Sequence, residues 1–282
     1  MKKIKRCDLE NLCVATYLVG AEKDEGIVIK AQSIGIEQTT GSWVDVPAET
    51  DEVRSKYCSK VIGIYEVPAY ENQTNVNLSV GKDDLRFYVI RIGYPVDNIR
   101  NNIPLLIASI TGNIMSMPYL KLLDIDFPES FVKDFQGPKF GINGIRDILH
   151  AYNRPLLNNM IKPCTGYTPD VGEKLFYEAS AGGVDIIKDD ELIGGDRVFN
   201  KIEDRVKANM AAAKRAEEIK GEPTLYACNI TDDVTKLKEN AMKVINNGGN
   251  CIMVDVHGVG YSAVRALAED PEIRSEEHTS EL

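Results

Sequence analysis

Twice in this chain a helical stretch stops at a pair of glycines and runs at once into an apolar strand: Gly182-Gly183 before Val184, and Gly248-Gly249 before Cys251. A helix closed by glycine and followed by a short buried strand is the repeating unit of parallel α/β folds. From about residue 150 the alternation is strict. Strands are expected at Pro155 to Ile161, Val184 to Ile187, Thr224 to Ile230 and Cys251 to Val256. The helix after the first strand has Thr168 at its N-cap, Pro169 at the first helical position and Asp170 in the first turn, which suits free N–H groups and the helix dipole. Val171, Leu175, Phe176 and Ala179 form its apolar face. A later helix starts near Val234, and a last one covers Val264 to Glu269. The weak repeat suits a (β/α)8 TIM barrel, which takes about 250 residues. Residues 150–273 hold about half of one, and half a barrel leaves parallel edges open. The expectation is therefore a barrel truncated after about four β/α units. The alternative, an open doubly wound sheet, lacks the GxGxxG turn that would support it.

Before that region the texture differs. Strand-like runs at Cys13 to Val19, Val61 to Val67, Leu85 to Ile92 and Leu105 to Ile110, with a helical stretch from Asp24 to Ile34, read as a small α+β domain. Gly137 to Gly141 is a linker signal. The expected boundaries are 1–136 for this domain, 137–273 for the barrel part, and 274–282 for a tail with no periodicity. That tail, from Arg274 to Leu282, matches a translated sequencing adapter and is left out of the fold.

A net charge of −10 over 282 residues argues against nucleic acid or an anionic membrane as partner. Six cysteines without CxxC spacing read as reduced thiols of a cytoplasmic protein. Met1 to Arg6 followed by Leu12 to Ala21 only loosely imitates a signal peptide, and no run reaches the roughly 18 apolar residues of a membrane span. Lys188-Asp189-Asp190-Glu191 stands at the carboxyl end of the second barrel strand, where such folds place their chemistry. By itself the run is either a hard-metal site or a solvated turn.

Several ordered motifs carry a family resemblance. Ile36 to Trp43, Thr111-Gly112-Asn113, Gly137 to Ile142, Arg154 to Leu157, Ile161-Lys162-Pro163 and Gly182 to Glu191 resemble, in order and spacing, the large subunit of ribulose-bisphosphate carboxylase/oxygenase (RuBisCO) and the RuBisCO-like proteins. The resemblance implies that carbon dioxide carbamylates Lys188. The carbamate, Asp190 and Glu191 would then hold Mg²⁺, an ion that takes a few carboxylate-type oxygens besides water and substrate. Lys162 matches a lysine that acts as base on the carbon next to a carbonyl, and Asp189 is expected to be structural. Glu37, Ser42, Trp43 and Asn113 match positions that the amino-terminal domain lends to the substrate site of a partner subunit, which implies a homodimer.

The departures fall on substrate contacts. Cys164 stands where RuBisCO has a second lysine, Met160 where it has a threonine, and Val254 to Gly260 looks like the RuBisCO-like (form IV) branch. What the resemblance implies is an Mg²⁺-dependent lyase or isomerase performing enolisation-type chemistry, whether isomerisation, tautomerisation or decarboxylation. Its substrate would be a phosphorylated, sugar-derived ketone or oxo-acid. The alternatives are a genuine ribulose-1,5-bisphosphate carboxylase and a non-catalytic homologue. The truncated chain itself is expected to be inactive.

Overall fold

The computed structural model describes residues 9–22, 25–42, 44, 46–67, 85–137, 139–273 and 279–281. The chain forms two compact units that divide between Phe135 and Gln136.

The first unit contains β1 (Leu12–Glu22), α1 (Ile27–Glu37), α2 (Asp51–Tyr57), β2 (Lys60–Glu66), β3 (Leu85–Pro95), α3 (Val96–Ile99), α4 (Ile103–Thr111), β4 (Leu120–Asp126) and α5 (Glu129–Val132). Its sheet is antiparallel in the order β2-β3-β1-β4. Alternate residues of β1, namely Cys13, Ala15, Tyr17 and Val19, point into one core with Ile90, Ile92 and Tyr94 of β3, as the two-residue period of a strand requires. Ile34 of α1 and Leu106 and Ile110 of α4 cover that face. The buried Tyr17 hydroxyl donates to the Ile110 carbonyl at 2.7 Å and lies 3.0 Å from the Tyr94 hydroxyl.

Leu105 to Ile110 is therefore helix, where the sequence suggests a strand. The Asn102 side chain accepts the Leu105 N–H at 2.9 Å as an N-cap, and Pro104 sits in the first turn. Buried Leu106 and Ile110 are four residues apart, so the helical period decides the contact. β4 has no counterpart among the strands expected from sequence; its outer residues alternate in exposure. The helix expected from Asp24 begins at Ile27 and runs to Glu37.

The second unit contains α6 (Gly141–Leu149), β5 (Asn158–Met160), α7 (Pro169–Ala181), β6 (Ile186–Lys188), α8 (Ile202–Lys220), β7 (Leu225–Asn229), α9 (Val234–Asn246), β8 (Cys251–Met253), α10 (Val256–Val259), α11 (Tyr261–Glu269) and β9 (Thr279–Glu281). The sheet is parallel in the order β5-β6-β7-β8-β9. Strands adjacent in sequence are adjacent in space, the order of successive barrel strands. Ile187, Tyr226, Cys228 and Ile252 face the helices and meet Phe176, Val206, Leu237 and Val244. Ile186, Leu225, Ala227, Cys251 and Met253 face the other way, with Leu149 of α6.

Both Gly-Gly stops have a steric cause. Gly183 has φ +98° and Gly248 φ +80°, a region that side-chain-bearing residues avoid. Thr168 holds the cap position of α7 without a side-chain cap bond. The strands are shorter than the apolar runs suggest: β5 keeps only the last part of Pro155 to Ile161, and the end of the run Cys251 to Val256 turns into α10. Residues 279–281, set apart from the fold as tail, pair in parallel with β8. An unpaired β8 edge would leave a row of backbone donors and acceptors free, and these residues take them up.

Candidate functional site

Lys188 is the last residue of β6, Lys162 follows the end of β5, and the two strands are neighbours. The Ile161 N–H, one residue past β5, donates to the Lys188 carbonyl at 3.0 Å. This pairing brings Lys162 beside the turn after β6. Lys162 Nζ donates to Asp190 Oδ2 at 2.6 Å, and Lys188 Nζ donates to Glu191 Oε1 at 2.8 Å. Two lysines and two carboxylates, from segments 28 residues apart, thus form two ion pairs at the carboxyl ends of adjacent parallel strands. Asp190 is 3 % exposed, and its other oxygen accepts the Leu192 N–H at 3.0 Å.

The charges shape the protonation of the site. Burial pushes the Asp190 carboxyl up, but the Lys162 ammonium and the Leu192 N–H outweigh it and leave it below the ordinary range. The hydrogen bond from Lys188 holds Glu191 below its ordinary range. Asp190, and then the Cys164 thiol 3.1 Å away, hold the Lys162 ammonium well above the ordinary lysine value. A base needs the opposite shift, so in this arrangement Lys162 keeps its proton. Cys164 touches the lysine expected to be the base.

Asp189 turns away from these groups. It is fully buried and bonded by Arg205 Nε at 3.2 Å, the Tyr226 hydroxyl at 2.8 Å and the Asn229 N–H at 3.0 Å. Neither Arg205 nor Asn229 is marked by any motif in the sequence. Each looks like an ordinary polar residue until the fold buries it.

Lys188 and Glu191 open into a cavity of about 330 Å³ that Asn158, Met253, Val254, Asp255 and Val256 also line. Among the described residues, no group of three His, Cys, Asp or Glu side chains could hold a metal ion. Asp190 and Glu191 supply carboxylates, and a lysine ammonium has no lone pair to give. The donor set therefore suits Mg²⁺ only if Lys188 carries a carbamate, which makes all three side chains oxygen donors. The nitrogen that carbon dioxide would modify lies 2.8 Å from Glu191 Oε1.

In the first unit, Glu37 at the end of α1 and Asn113 after α4 line a cavity of about 290 Å³, with Ser33, Ile34, Ile114 and Met117 among the other walls. Gln38 places them. With its amide oriented to satisfy its neighbours, it donates to the Ala108 and Ser109 carbonyls at 3.1 and 3.0 Å and accepts the Asn113 and Ile114 N–H groups at 3.3 Å. Gly112 makes room for this clamp: a Cβ there would stand 2.5 Å from the Ala108 carbonyl oxygen and 2.7 Å from Gln38. Ser42 does not line this cavity, and its hydroxyl lies 3.5 Å from the Thr40 carbonyl. Trp43 lies outside the described residues.

The sequence pattern of the ribulose bisphosphate carboxylase large chain catalytic domain matches residues 141–276, and that of its N-terminal domain matches residues 7–131. The chain is 46 % identical over 267 residues to a ribulose bisphosphate carboxylase-like protein of Archaeoglobus fulgidus, covering 95 % of this chain and 60 % of that one. It is 34 % identical over 260 residues to a 2,3-diketo-5-methylthiopentyl-1-phosphate enolase of Geobacillus kaustophilus, covering 92 % of this chain and 61 % of that one. A solved rubisco-like protein of Alicyclobacillus acidocaldarius superposes with a TM-score of 0.77 at 33 % identity, over 94 % of this chain and 62 % of that chain. A dimeric archaeal Rubisco of Hyperthermus butylicus superposes with a TM-score of 0.77 at 28 % identity, over 96 % and 64 %. The chain spans about 60 % of the length of the relatives it matches. Among the described residues, no helix is long and apolar enough to cross a membrane.

Proposed function

The chain belongs to the ribulose bisphosphate carboxylase large-chain family, and from that premise we propose that the whole protein is a RuBisCO-like, Mg²⁺-dependent enzyme that enolises a phosphorylated, sugar-derived ketone or oxo-acid. One observation carries the reading: Lys162 with Asp190, and Lys188 with Glu191, converge at the ends of β5 and β6. A solvated turn would not bury Asp190 to 3 % exposure beside a lysine from the loop after another strand. The relative named as an enolase supports the reaction class.

Lys188 as its carbamate, Asp190 and Glu191 would hold the ion. When bound, Mg²⁺ supplies a Lewis acid that steadies the negative oxygen of an enolate. Lys162 is the proposed base for the proton next to the carbonyl. Its proton is held by Asp190, and an Asp190 carboxylate shared with an ion holds that proton less tightly, which is the condition a lysine base requires. Glu37, Ser42, Trp43 and Asn113 are proposed to complete the substrate site of a partner subunit in a homodimer; that one solved relative is a dimeric Rubisco supports the dimer. Cys164 in place of a second lysine removes a cation from the substrate side, and this weighs against carboxylation of ribulose bisphosphate.

Deuterium exchange from solvent into 2,3-diketo-5-methylthiopentyl 1-phosphate, with the whole protein, Mg²⁺ and bicarbonate, tests the reading. Exchange is expected, and Lys162→Ala should slow it by roughly 10²–10⁴-fold, the usual worth of a positioned acid or base. Unchanged exchange in Lys162→Ala would remove Lys162 as base. Fixation of carbon dioxide into ribulose bisphosphate would overturn the preference for enolisation.

A further inference from the structure

We propose that Asn229 is a positioning residue for the ion site, holding the main chain of Asp190 and Glu191 so that their carboxylates are aimed before any ion arrives. The inference rests on the reading of Lys188, Asp190 and Glu191 as that site. Asn229 is the last residue of β7 and is fully buried. Its side-chain Nδ2 donates to the Asp190 carbonyl at 3.1 Å and the Glu191 carbonyl at 3.2 Å. Its Oδ1 accepts the Thr231 N–H at 3.0 Å. The amide can face only this way, since reversal would set oxygen against two carbonyls.

The backbone of Asn229 is equally committed. Its N–H donates to Asp189 Oδ2 at 3.0 Å, and its carbonyl accepts Arg205 Nη2 at 2.7 Å. Three successive residues after Lys188 are therefore tied to this one position, Asp189 by its side chain and the next two by their carbonyls. Fixing the carbonyls of Asp190 and Glu191 fixes their peptide planes, and with them the directions in which the two side chains leave the chain. Arg205 secures the rest of the turn through the carbonyls of Gly195 at 3.0 Å and Asn200 at 3.2 Å. The turn lies close against the end of β7: a Cβ on Gly194 would stand 2.5 Å from the Thr231 carbonyl oxygen. Thr231 in turn receives the N–H of Asp255 at 2.8 Å, and Asp255 lines the cavity into which Lys188 and Glu191 open. The amide of Asn229 thus connects the carboxylate-bearing turn to the next two strands. Asn229 itself does not line that cavity, so its effect on an ion is exerted through Asp190 and Glu191.

Asn229→Asp keeps the shape but turns a carboxylate oxygen toward two carbonyls. Asn229→Ser is the second variant, smaller and neutral. The test is Mn²⁺ binding to the whole protein in bicarbonate, with free Mn²⁺ counted by electron paramagnetic resonance well below the unfolding temperature. Two controls bracket it. Asp190→Asn removes a proposed ligand, and Arg154→Gln breaks an ion pair at the opposite end of β6. Asn229→Asp is expected to weaken Mn²⁺ by about tenfold or more, as loss of the partners that orient metal ligands commonly does. Asn229→Ser should fall between it and the unaltered protein, Asp190→Asn should lose the ion, and Arg154→Gln should lower the unfolding temperature with its affinity retained.

Unaltered affinity in both folded Asn229 variants, with loss in Asp190→Asn, would overturn the positioning role and leave the ion site standing. Mn²⁺ binding that Asp190→Asn does not affect, or no binding at all, would sink the ion site and this inference with it. An Arg154→Gln protein that loses affinity as Asn229→Asp does would show that the loss follows from general loosening of the fold, and would overturn the positioning role. If neither Asn229 variant folds, its role is in folding and the inference falls.

Discussion

Asp185, the residue before β6, shows how much a single charged residue does at the end of that strand opposite Lys188. It is fully buried, accepts two guanidinium bonds from Arg154 at 2.6 and 2.7 Å, and takes the Leu157 N–H at 2.8 Å. Burial pushes its carboxyl up, but Arg154 and the backbone donor prevail and hold it below the ordinary aspartate value. A depressed carboxyl stabilises the fold above its unfolded value, about pH 3.9, and that contribution is lost as pH falls through the folded value. Arg154→Gln removes the guanidinium, so its cost should be largest near neutral pH and shrink at about pH 3. Thermal unfolding of both proteins at the two pH values checks this, and a cost that grows in acid would contradict it. In the sequence, Asp185 is simply the residue after Val184. Nothing local shows that Arg154 will reach it across 31 positions.

The elements were legible wherever local chemistry and tertiary packing agree. Gly182-Gly183 reads as a stop because glycine suits the end of a helix, and Gly183 does adopt φ +98°. Gly183→Ala should therefore cost about 1–2 kcal/mol, the penalty for a side chain in a left-handed conformation. Urea unfolding measures it, and a cost near zero would mean that the turn rearranges freely. Leu105 to Ile110 is ambiguous in sequence because a short apolar run fits strand and helix alike. The decision came from Asn102 as cap and from the core of the first sheet, which takes Leu106 and Ile110 on one helical face. The strand β4 leaves little trace in sequence because an edge strand buries little, so its alternation is broken.

At the scale of the molecule, two compact units each carry part of what the family resemblance implies for one site: Glu37 and Asn113 in the first, Lys162, Lys188, Asp190 and Glu191 in the second. The proposal that a homodimer completes its sites in trans has a direct consequence. Whole-length Glu37→Gln and Lys162→Ala chains, each inactive alone, should regain about a quarter of full activity when refolded together, since half the dimers are mixed and one of their two sites is intact. Activity from the mixture no greater than from either variant alone would contradict sharing across the dimer.

The sequence alone determined the parallel alternation of the second unit, its helix stops and the position of Lys188 to Glu191 at a strand's carboxyl end, because these follow from side-chain period and backbone sterics within a few residues. The motifs also carried the family, which two domain patterns then matched. Only the tertiary structure decided that Lys162 pairs with Asp190 and keeps its proton, that Cys164 touches that lysine, that Asp189 is spent on Arg205, and that Asn229 holds the turn. Each of these depends on burial and on partners brought together from distant segments. Desolvation and long-range pairing set the charge state and aim of such groups, and neither is written in the spacing of the residues.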